Sequence, residues 1–395
     1  MKLLIAIPAL NEQDSIQSII ERTLAARERI IADSPITGVD IAVVSDGSTD
    51  KTVEIASQYS DRINLIVFEK NRGYGAAIKE AWGQSDADVL GFLDADGTCD
   101  PLFFTTLCNA MVAGNADVVL GSRLNPESKM PLVRRFGNSL FALLLSTLSS
   151  KRVRDTASGM RVVRRSCLPS LFPLPDGLHF TPAMSARAML SDNLKIIETP
   201  MPYHEREGES KLRIIKDGLR FLKVILEATF LFRPSRPLDI LGMVCLLSAT
   251  VLMISPTLYY LEHRSVQEWM IYRFIVGNLL ASSGLLLLSA AHISRRIVGI
   301  TLSTQGRSGD MRDRFFSSSS FWILCCFLVI LGIALVVPSF LELVETGATY
   351  EHWSRFIVSS FFISAALILI VTWIVDYSLR LMAAQMDYSK KHTRQ

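Results

Sequence analysis

The sequence lacks the features of a disulfide-bonded or zinc-binding protein. Its six cysteines form no CxxC pair, and its six histidines form no HxxxH pair. The cysteines are Cys99, Cys108, Cys167, Cys245, Cys325 and Cys326. A disulfide framework and a structural zinc site are therefore not expected. Residues 1–13 become polar too early for a secretory signal peptide, so we expect the N-terminal part to stay in the cytoplasm.

The signatures of two further classes are also missing. The formal net charge is only +3 and no basic stripe is interleaved with aromatic residues, so no nucleic-acid partner is expected. Gly73 and Gly75 resemble part of a dinucleotide-binding loop, but a complete GxGxxG with a ribose-binding acid is absent. An oxidoreductase is therefore disfavoured, and we expect these small residues to permit close packing or the approach of a substrate.

Hydrophobic residues, by contrast, make up 49% of the 395 residues. Four long stretches without charge lie in the C-terminal part, at residues 240–261, 274–291, 315–341 and 356–375. Each supplies the roughly 20 residues that a helix needs to cross a bilayer core of about 30 Å. We therefore predict four transmembrane helices within residues 237–380 and a tail over residues 381–395. Burial of these helices in a soluble core is disfavoured, because apolar runs this long are rare there.

Basic residues indicate how these helices are oriented. They are concentrated between the second and third stretches and in the tail, as Arg295, Arg296, Arg307, Arg312, Arg314, Arg380, Lys390, Lys391 and Arg394. The other two loops, at residues 262–273 and 342–355, contain fewer. The positive-inside rule then predicts a multi-pass protein of the cell (inner or plasma) membrane with both termini in the cytoplasm.

The segment before the first span, residues 211–236, has the pattern of an amphipathic helix. Apolar residues recur at helical spacing and alternate with Lys216, Arg220 and Lys223. We predict that it lies on the membrane surface. The alternative is an ordinary amphipathic helix packed on the soluble domain.

Residues 1–210 have the pattern of an α/β domain. Short apolar runs at residues 3–7, 40–44, 63–68, 89–93 and 118–120 are predicted strands, and amphipathic segments at residues 13–29, 50–57 and 75–82 are predicted helices. This alternation predicts a mostly parallel sheet covered on both faces. Ligands bind beyond the carboxyl ends of the strands in such folds.

Polar residues follow three of the predicted strands. They are Asn11 with Glu12, Asp46, and Asp94 with Asp96. Carboxylates such as Asp94 and Asp96 suit Mg²⁺ or Mn²⁺ held together with substrate phosphates, although a tripeptide of this kind is often a solvated turn. Asp46 is a candidate acceptor of hydrogen bonds from a nucleotide, while residues 48–50 could form a simple turn and helix cap.

Basic residues in the second half of this domain are candidates for binding a phosphate. They are Arg123, Arg134, Arg135, Arg161, Arg206 and Lys211. Arginine offers a planar fork for phosphate oxygens and lysine a point charge. Single basic residues are more often solvated, but several of these precede the predicted membrane segments, where a lipid phosphate would lie.

Taken together, these motifs resemble the GT-A fold family 2 glycosyltransferases that act on polyprenyl phosphates. That group includes dolichol-phosphate mannose synthases and undecaprenyl-phosphate glucosyltransferases of the GtrB type. The resemblance rests on residues 5–12, 44–50, 71–77, 94–96, 121–123, 155–161 and 208–211, in matching order along the predicted soluble part. The spacing of residues 203–208 departs from the expected pattern, which leaves the role of Arg206 open.

The resemblance implies an inverting transfer of a hexose to a polyprenyl phosphate with Mg²⁺ or Mn²⁺. The implied nucleotide-sugar and metal site comprises Pro8, Ala9, Asn11, Glu12, Asp46, Asp94, Ala95 and Asp96, with Asp94 and Asp96 as metal ligands. Arg123, Arg135 and Lys211 would hold phosphates, and Asp155 would orient the acceptor or accept its remaining proton. We therefore predict Asp94, Asp96, Arg123 and Asp155 as the catalytic set.

Several alternatives stay open. UDP-glucose is the first choice of donor, but GDP-mannose, UDP-galactose or an aminosugar donor would use the same residues. A processive polysaccharide synthase is disfavoured because the sequence contains no QxxRW motif. A non-catalytic membrane scaffold or flippase would not need Asp46, Asp94 and Asp96. A membrane homo-oligomer is consistent with the resemblance.

Overall fold

In the computed structural model the chain forms two compact units, Met1–Phe232 and Arg233–Gln395. The structure describes residues 1–124, 132–149, 151–202, 214–301, 311–349 and 351–392. The predicted amphipathic segment therefore belongs largely to the first unit. The predicted boundaries near residues 210 and 236, and the tail from residue 381, stay predictions.

The first unit is built on a seven-stranded sheet. Its strands are β1 (Lys2–Ala9), β2 (Gly38–Asp46), β3 (Asn64–Phe68), β4 (Val89–Leu93), β5 (Val118–Ser122), β6 (Met160–Arg164) and β7 (Ile196–Pro200), in the order β3-β2-β1-β4-β6-β5-β7. Only β6 runs antiparallel to its neighbours. The predicted mostly parallel sheet is confirmed.

Helices cover both faces of this sheet. They are α1 (Ile16–Asp33), α2 (Thr52–Ser57), α3 (Tyr74–Gly83), α4 (Phe104–Ala113), α5 (Leu132–Leu148), α6 (Leu168–Leu171), α7 (Phe180–Leu190) and α8 (Ile214–Phe232). Successive side chains of β1 alternate between two cores: Ile5 packs with α1 and α4, and Ala6 packs with α3 and α7. Burial on both faces explains why the strands read as continuous apolar runs.

Two strands, β6 and β7, were not expected from the sequence. β6 contains Arg161, a charged residue that the structure buries completely. Burial of an arginine is favourable only when other groups accept its hydrogen bonds, and the sequence does not show those groups. A short apolar run that contains an arginine is therefore not expected to be a central strand. β7 is only partly buried and contains Glu198 and Pro200, so its hydrophobic pattern is weak.

Helix α8 combines the two alternatives raised by its sequence. Ile225 and Ala228 are buried in a core shared with α5 and α7. Leu219 and Phe230 are more than half exposed and share an open, mostly apolar face of α8 with Leu222 and Leu226, which Lys223 and Glu227 border. One face thus packs on the α/β domain, and the other is available to a lipid surface.

The second unit is entirely helical in its described residues. Its helices are α9 (Ser235–His263), α10 (Ile271–Thr301), α11 (Met311–Phe316), α12 (Ser319–Thr346) and α13 (Trp353–His392). Of these, α9, α10, α12 and α13 are long and apolar enough to cross a membrane. Most of their apolar side chains are not buried inside the unit, as expected where lipid is the solvent. The predicted helical domain with four such helices is confirmed.

A cluster of ion pairs with buried and partly buried carboxylates lies at one end of these helices. The carboxylate of Asp376 is 1% exposed and contacts His292 at 3.1 Å, Arg296 at 2.9 Å and Arg380 at 2.6 Å. The carboxylate of Asp239 pairs with two more arginines, Arg295 and Arg312. Because charges inside a membrane-spanning helix are costly, pairing of this kind is what lets them lie near its end.

Candidate active site

The candidate site forms where three neighbouring strands end. β2, β1 and β4 are adjacent and parallel, so their carboxyl ends share one edge of the sheet. That edge carries Asp46 at the end of β2, Asn11 and Glu12 after β1, and Asp94 after β4. The parallel topology thus assembles groups that are up to 85 residues apart in sequence, from 11 to 96.

The loop after β1 is fastened to the loop after β2. Asn11 has a left-handed backbone (φ 50°), and its side-chain oxygen accepts a hydrogen bond from the Thr49 amide at 2.8 Å. The Glu12 amide donates to Thr52 Oγ1 at 2.9 Å. Pro8 and Ala9 are buried within β1, paired with Val44 and Ser45. The two loops therefore form one rigid wall of the site.

Asp46 lies at the base of this wall and is 4% exposed. Its carboxylate accepts hydrogen bonds from the backbone amides of Arg72 at 2.6 Å and Gly73 at 2.9 Å. Burial raises the pKa of Asp46, and these amides and the Arg72 charge only partly oppose that rise. The next residue, Gly47, has φ 74°, and a Cβ there would lie 2.5 Å from the Asn71 amide. Asp46 thus anchors the turn before α3.

The glycines of that turn permit close packing. Gly73 has φ 108°, and a Cβ on it would lie 2.4 Å from the Asp176 carbonyl oxygen. The same oxygen accepts hydrogen bonds from the amides of Gly75 at 2.6 Å and Ala76 at 3.1 Å, which caps the start of α3. A protein carbonyl, rather than a phosphate, therefore takes these helix N-terminal donors.

Asp94 and Asp96 follow β4 with the buried Ala95 between them. Asp96 is 7% exposed, and one of its oxygens accepts hydrogen bonds from the Thr98 hydroxyl at 2.7 Å and the Thr98 amide at 3.2 Å. Asp94 accepts a hydrogen bond from the Tyr74 hydroxyl at 2.6 Å. Both carboxylates are thus held by neighbouring donors at the edge where ligands bind in open α/β sheets.

These two carboxylates fit a divalent cation that arrives with phosphates. Among the described residues no group of three or more His, Cys, Asp or Glu side chains could hold a metal by itself. Mg²⁺ is commonly bound by one or two carboxylates together with substrate phosphates rather than by a complete protein cage. The donor set of Asp94 and Asp96 has that composition.

A second group of charges lies beyond β5. The carboxylate of Asp155 is fully buried and accepts hydrogen bonds from the Arg123 guanidinium at 2.7 and 2.8 Å, the Arg123 amide at 2.9 Å and the Asn138 side chain at 2.8 Å. Burial alone would raise the pKa of Asp155, but the Arg123 charge and these hydrogen bonds outweigh it and keep the pKa below its usual range. Asp155 is therefore an ionised partner that fixes Arg123.

The loop that carries Asp155 is itself held in place by two charged side chains. The Glu198 carboxylate on β7 accepts hydrogen bonds from the amides of Arg154 and Asp155 at 2.9 and 2.8 Å. Arg161 donates to the carbonyls of Thr156 and Ser158 and to the Ser185 hydroxyl. Arg161 is completely buried, so in this structure its guanidinium stabilises the loop and is not exposed to a phosphate.

The remaining basic candidates are distributed differently. Arg135 is exposed on α5, one turn before Asn138, which contacts Asp155. Residues three apart on a helix share a face, so Arg135 lies on the side of α5 that carries this contact. Lys211 and Arg206 lie outside the described residues, as does the side chain of Arg134.

Several positioning residues were not identified from the sequence. Arg22 on α1 donates to the carbonyls of Gly97 and Cys99, and so holds the turn after Asp96. Asn138 and Glu198 contact the Asp155 loop from distant segments. Nothing in the sequence around these residues distinguishes them from ordinary polar surface residues. Gly159 and Tyr74 lie in recognised motifs, but their contacts with Asp94 become visible only in three dimensions.

Comparison with known proteins agrees with this architecture. The family model "Glycosyl transferase family 2" matches residues 4–172, which include most of β1 and all of β2 to β6. A low-salt glycan biosynthesis hexosyltransferase from Haloferax volcanii is 34% identical over 62% of this chain and 59% of its own length. This chain therefore spans less than two thirds of that relative.

Two further relatives are matched over nearly their whole length. A dolichyl-phosphate hexose transferase from Haloferax volcanii is 32% identical over 57% of this chain and 92% of its own. An undecaprenyl-phosphate 4-deoxy-4-formamido-L-arabinose transferase from Photorhabdus laumondii is 26% identical over 80% of this chain and 90% of its own. The second of these matches is long enough to include part of the helical unit.

Proposed function

The chain belongs to glycosyl transferase family 2, and from this premise we propose that it transfers a hexose from a nucleotide sugar to the phosphate of a polyprenyl lipid. The predicted α/β GT-A class agrees with the family match and with the observed sheet. The relatives named for dolichyl and undecaprenyl phosphate support the class of acceptor.

One observation carries the proposal: Asp94 and Asp96 lie at the shared strand edge of a unit that is followed by four membrane-length apolar helices. A soluble nucleotide sugar and a membrane lipid must meet for this reaction. The chain supplies a carboxylate pair suited to a nucleoside diphosphate with its cation, and helices suited to the lipid phase.

The proposed reaction needs little from a general base. The second pKa of a phosphate monoester is about 6, so the acceptor is largely a dianion at neutral pH. One of its oxygens forms the new bond to the anomeric carbon, while the bond from that carbon to the nucleoside diphosphate breaks. The bonding electron pair leaves with the diphosphate. Attack opposite the leaving group inverts the configuration, and alignment of the two substrates supplies much of the rate.

Asp94 and Asp96 are the proposed ligands of Mg²⁺ or Mn²⁺. When bound, the cation neutralises charge on the departing diphosphate. The chain contributes the fixed orientation of both carboxylates, through Tyr74 for Asp94 and Thr98 for Asp96. The rigid wall formed by the loops after β1 and β2, with Asn11, would line the nucleotide pocket.

Arg123 is the proposed contact to a substrate phosphate, with Arg135 and Lys211 as further contacts. Asp155 fixes the Arg123 guanidinium through two hydrogen bonds and the backbone amide. A fully buried, ion-paired carboxylate is a poor proton acceptor, so we assign Asp155 a positioning role in preference to that of a base.

UDP-glucose is the proposed donor, because the chain resembles the undecaprenyl-phosphate glucosyltransferases most. GDP-mannose is the main alternative, because it would use the same carboxylates and arginines. We further propose that the end of the helical unit that carries Arg295, Arg296, Arg312 and Arg380 faces the cytoplasm. The positive-inside rule supports this orientation.

The test is transfer from a panel of radiolabelled nucleotide sugars to undecaprenyl phosphate by the detergent-solubilised chain. Each donor is assayed with Mg²⁺, Mn²⁺ or EDTA, and the extracted lipid is counted. We expect label in the lipid with one donor, and its loss in EDTA. If no donor labels the lipid, the alternative of a non-catalytic membrane scaffold or flippase becomes the better explanation.

Gly159 provides a more specific prediction. A Cβ at this position would lie 1.8 Å from Asp94 Oδ2, so Gly159→Ala must displace the carboxylate. Changes next to a metal ligand that disturb its orientation typically cost 10- to 100-fold in metal affinity or activity, and we expect transfer to fall by about that factor. The measurement is the initial rate of lipid labelling. Gly83→Ala is the control, because a Cβ there would meet no atom within 4 Å beyond its chain neighbours and the backbone of its own helix, and it should retain the wild-type rate.

A further inference from the structure

Tyr74 is the first residue of α3, and its side chain contacts both the aromatic core of the α/β unit and the Asp94 carboxylate. Its ring packs edge-on against Phe92 and Phe180, with ring centroids 6.3 and 6.4 Å away. Phe92 belongs to β4, the strand that leads into Asp94. The ring is therefore fixed by the aromatic core beneath the site, which restricts where its hydroxyl can point.

The hydroxyl of Tyr74 donates to Asp94 Oδ1 at 2.6 Å. This length falls within the range of about 2.5–2.7 Å that is typical of a charge-assisted hydrogen bond from a hydroxyl to a carboxylate. The other oxygen, Oδ2, faces Gly159, where even a methyl group would collide. One carboxylate is thus confined from two sides, by a hydroxyl and by a residue without a side chain.

The turn that presents Tyr74 is also constrained. Asp46 binds the amides of Arg72 and Gly73 immediately before it, and the Asp176 carbonyl caps the two residues that follow it. The positive φ of Gly73 allows this path. These contacts fix the backbone on both sides of Tyr74, and the packing of its ring limits how far the side chain can turn away from Asp94.

From this geometry we infer that Tyr74 is a positioning residue that acts through Asp94. Together with Gly159 it sets the orientation in which the Asp94 carboxylate would bind a divalent cation. The same cation would be held by the nucleoside diphosphate. The inference rests on the proposed function and adds a residue to its machinery. Groups that orient a metal ligand typically contribute 10- to 100-fold to metal affinity. Orientation before binding avoids the cost of ordering the carboxylate on binding.

The test is the affinity of the full chain for Mn²⁺ in the presence of UDP, and separately of GDP. Free Mn²⁺ is followed by electron paramagnetic resonance, well below the thermal midpoint of every variant. Tyr74→Phe keeps the ring and its packing and removes only the hydroxyl. We expect the apparent dissociation constant for Mn²⁺ to rise about 10-fold.

Tyr59 offers a matched control. Its hydroxyl donates to the Glu21 carboxylate at the same distance, 2.6 Å, but on the exposed surface. Tyr59→Phe should leave Mn²⁺ affinity unchanged. Asp94→Asn tests the route of action: if Tyr74 acts through Asp94, adding Tyr74→Phe to that variant should weaken Mn²⁺ binding little further.

The outcomes separate the inference from the proposed function. Wild-type affinity in Tyr74→Phe, or equal losses with and without Asp94→Asn, overturns the role of Tyr74 and leaves the proposed function standing. Absence of Mn²⁺ binding by the wild-type chain with either nucleotide overturns the proposed metal site and the inference with it. If Tyr74→Phe does not fold, the affinity of Gly159→Ala decides, because confinement of Asp94 requires a similar loss when the carboxylate is displaced from its other side.

Discussion

Asp96→Asn is expected to lower the rate of hexose transfer to the lipid by about 10²–10³-fold, the effect of removing one preorganised group that stabilises charge in a transition state. The substitution removes the negative charge and replaces one carboxylate oxygen with an amide nitrogen, and it leaves the size of the side chain nearly unchanged. Asparagine can still accept the hydrogen bonds from Thr98, so the turn after β4 should persist. What is lost is the second negative ligand for the cation. The measurement is the initial rate of lipid labelling at saturating donor and metal.

The control for this variant is Asp86→Asn. Asp86 is an aspartate of the same unit whose side chain is 87% exposed and forms a surface ion pair with Lys2. Pairs of this kind contribute little to stability, and we expect a wild-type rate. A wild-type rate for Asp96→Asn would refute the metal part of the mechanism, whereas a matching loss in Asp86→Asn would indicate a general effect of lowered charge.

Asp155→Ala is expected to destabilise the α/β unit by about 3–5 kcal/mol, because it removes the buried carboxylate that compensates the Arg123 charge and accepts a hydrogen bond from the Asn138 amide. For a unit of this size, each kcal/mol shifts the midpoint by about 2–4 °C, so a fall of about 10 °C is expected. The measurement is thermal unfolding of the full chain in detergent, followed by circular dichroism.

The same variant makes a prediction about pH. The folded-state pKa of Asp155 is lowered, so the stability from its ionisation is present above the unfolded pKa, about 3.9, and is lost as the pH falls further. The difference in midpoint between wild type and Asp155→Ala should therefore shrink below about pH 4. A difference that stays constant there would show that the loss comes from packing and not from the charge.

Asp176→Ala is the matched control for both experiments. Asp176 forms an ion pair with Lys79 at 2.5 Å, but its side chain is 65% exposed. We expect a loss of at most about 1 kcal/mol, as for other surface pairs. An equally large loss in both variants would contradict the conclusion that burial makes the Asp155 pair more important for stability than a surface pair.

The sequence was sufficient where a pattern is local. Apolar runs of about 20 residues indicate membrane helices because the bilayer thickness fixes their length. Alternating strand and helix patterns likewise predicted five of the strands. Because parallel strands end at one edge, the same patterns also predicted that Asp46, Asp94 and Asp96 share a site, and the structure places them at that edge.

The positions of β6 and β7 were not predictable in the same way. The buried guanidinium of Arg161 is tolerated only because two carbonyls and a hydroxyl from the loop and from α7 accept its hydrogen bonds. Those partners are brought together by folding. A prediction from the hydrophobicity of β6 alone therefore cannot take these partners into account.

The sequence by itself therefore determined the family, the alternation of strands and helices in the α/β domain and the four apolar helices. It also identified Asp46, Asp94 and Asp96 as the carboxylates at the strand ends. Only the tertiary structure decided how those groups are held: that Asp155 is paired with Arg123, that Asp46 binds the turn before α3, and that Asp94 is confined by Tyr74 and Gly159. The physical reason is the separation in sequence over which each kind of interaction acts. Hydrophobic periodicity is a property of neighbouring residues, whereas hydrogen bonds and steric contacts depend on distances of a few ångströms between segments that the fold alone brings together.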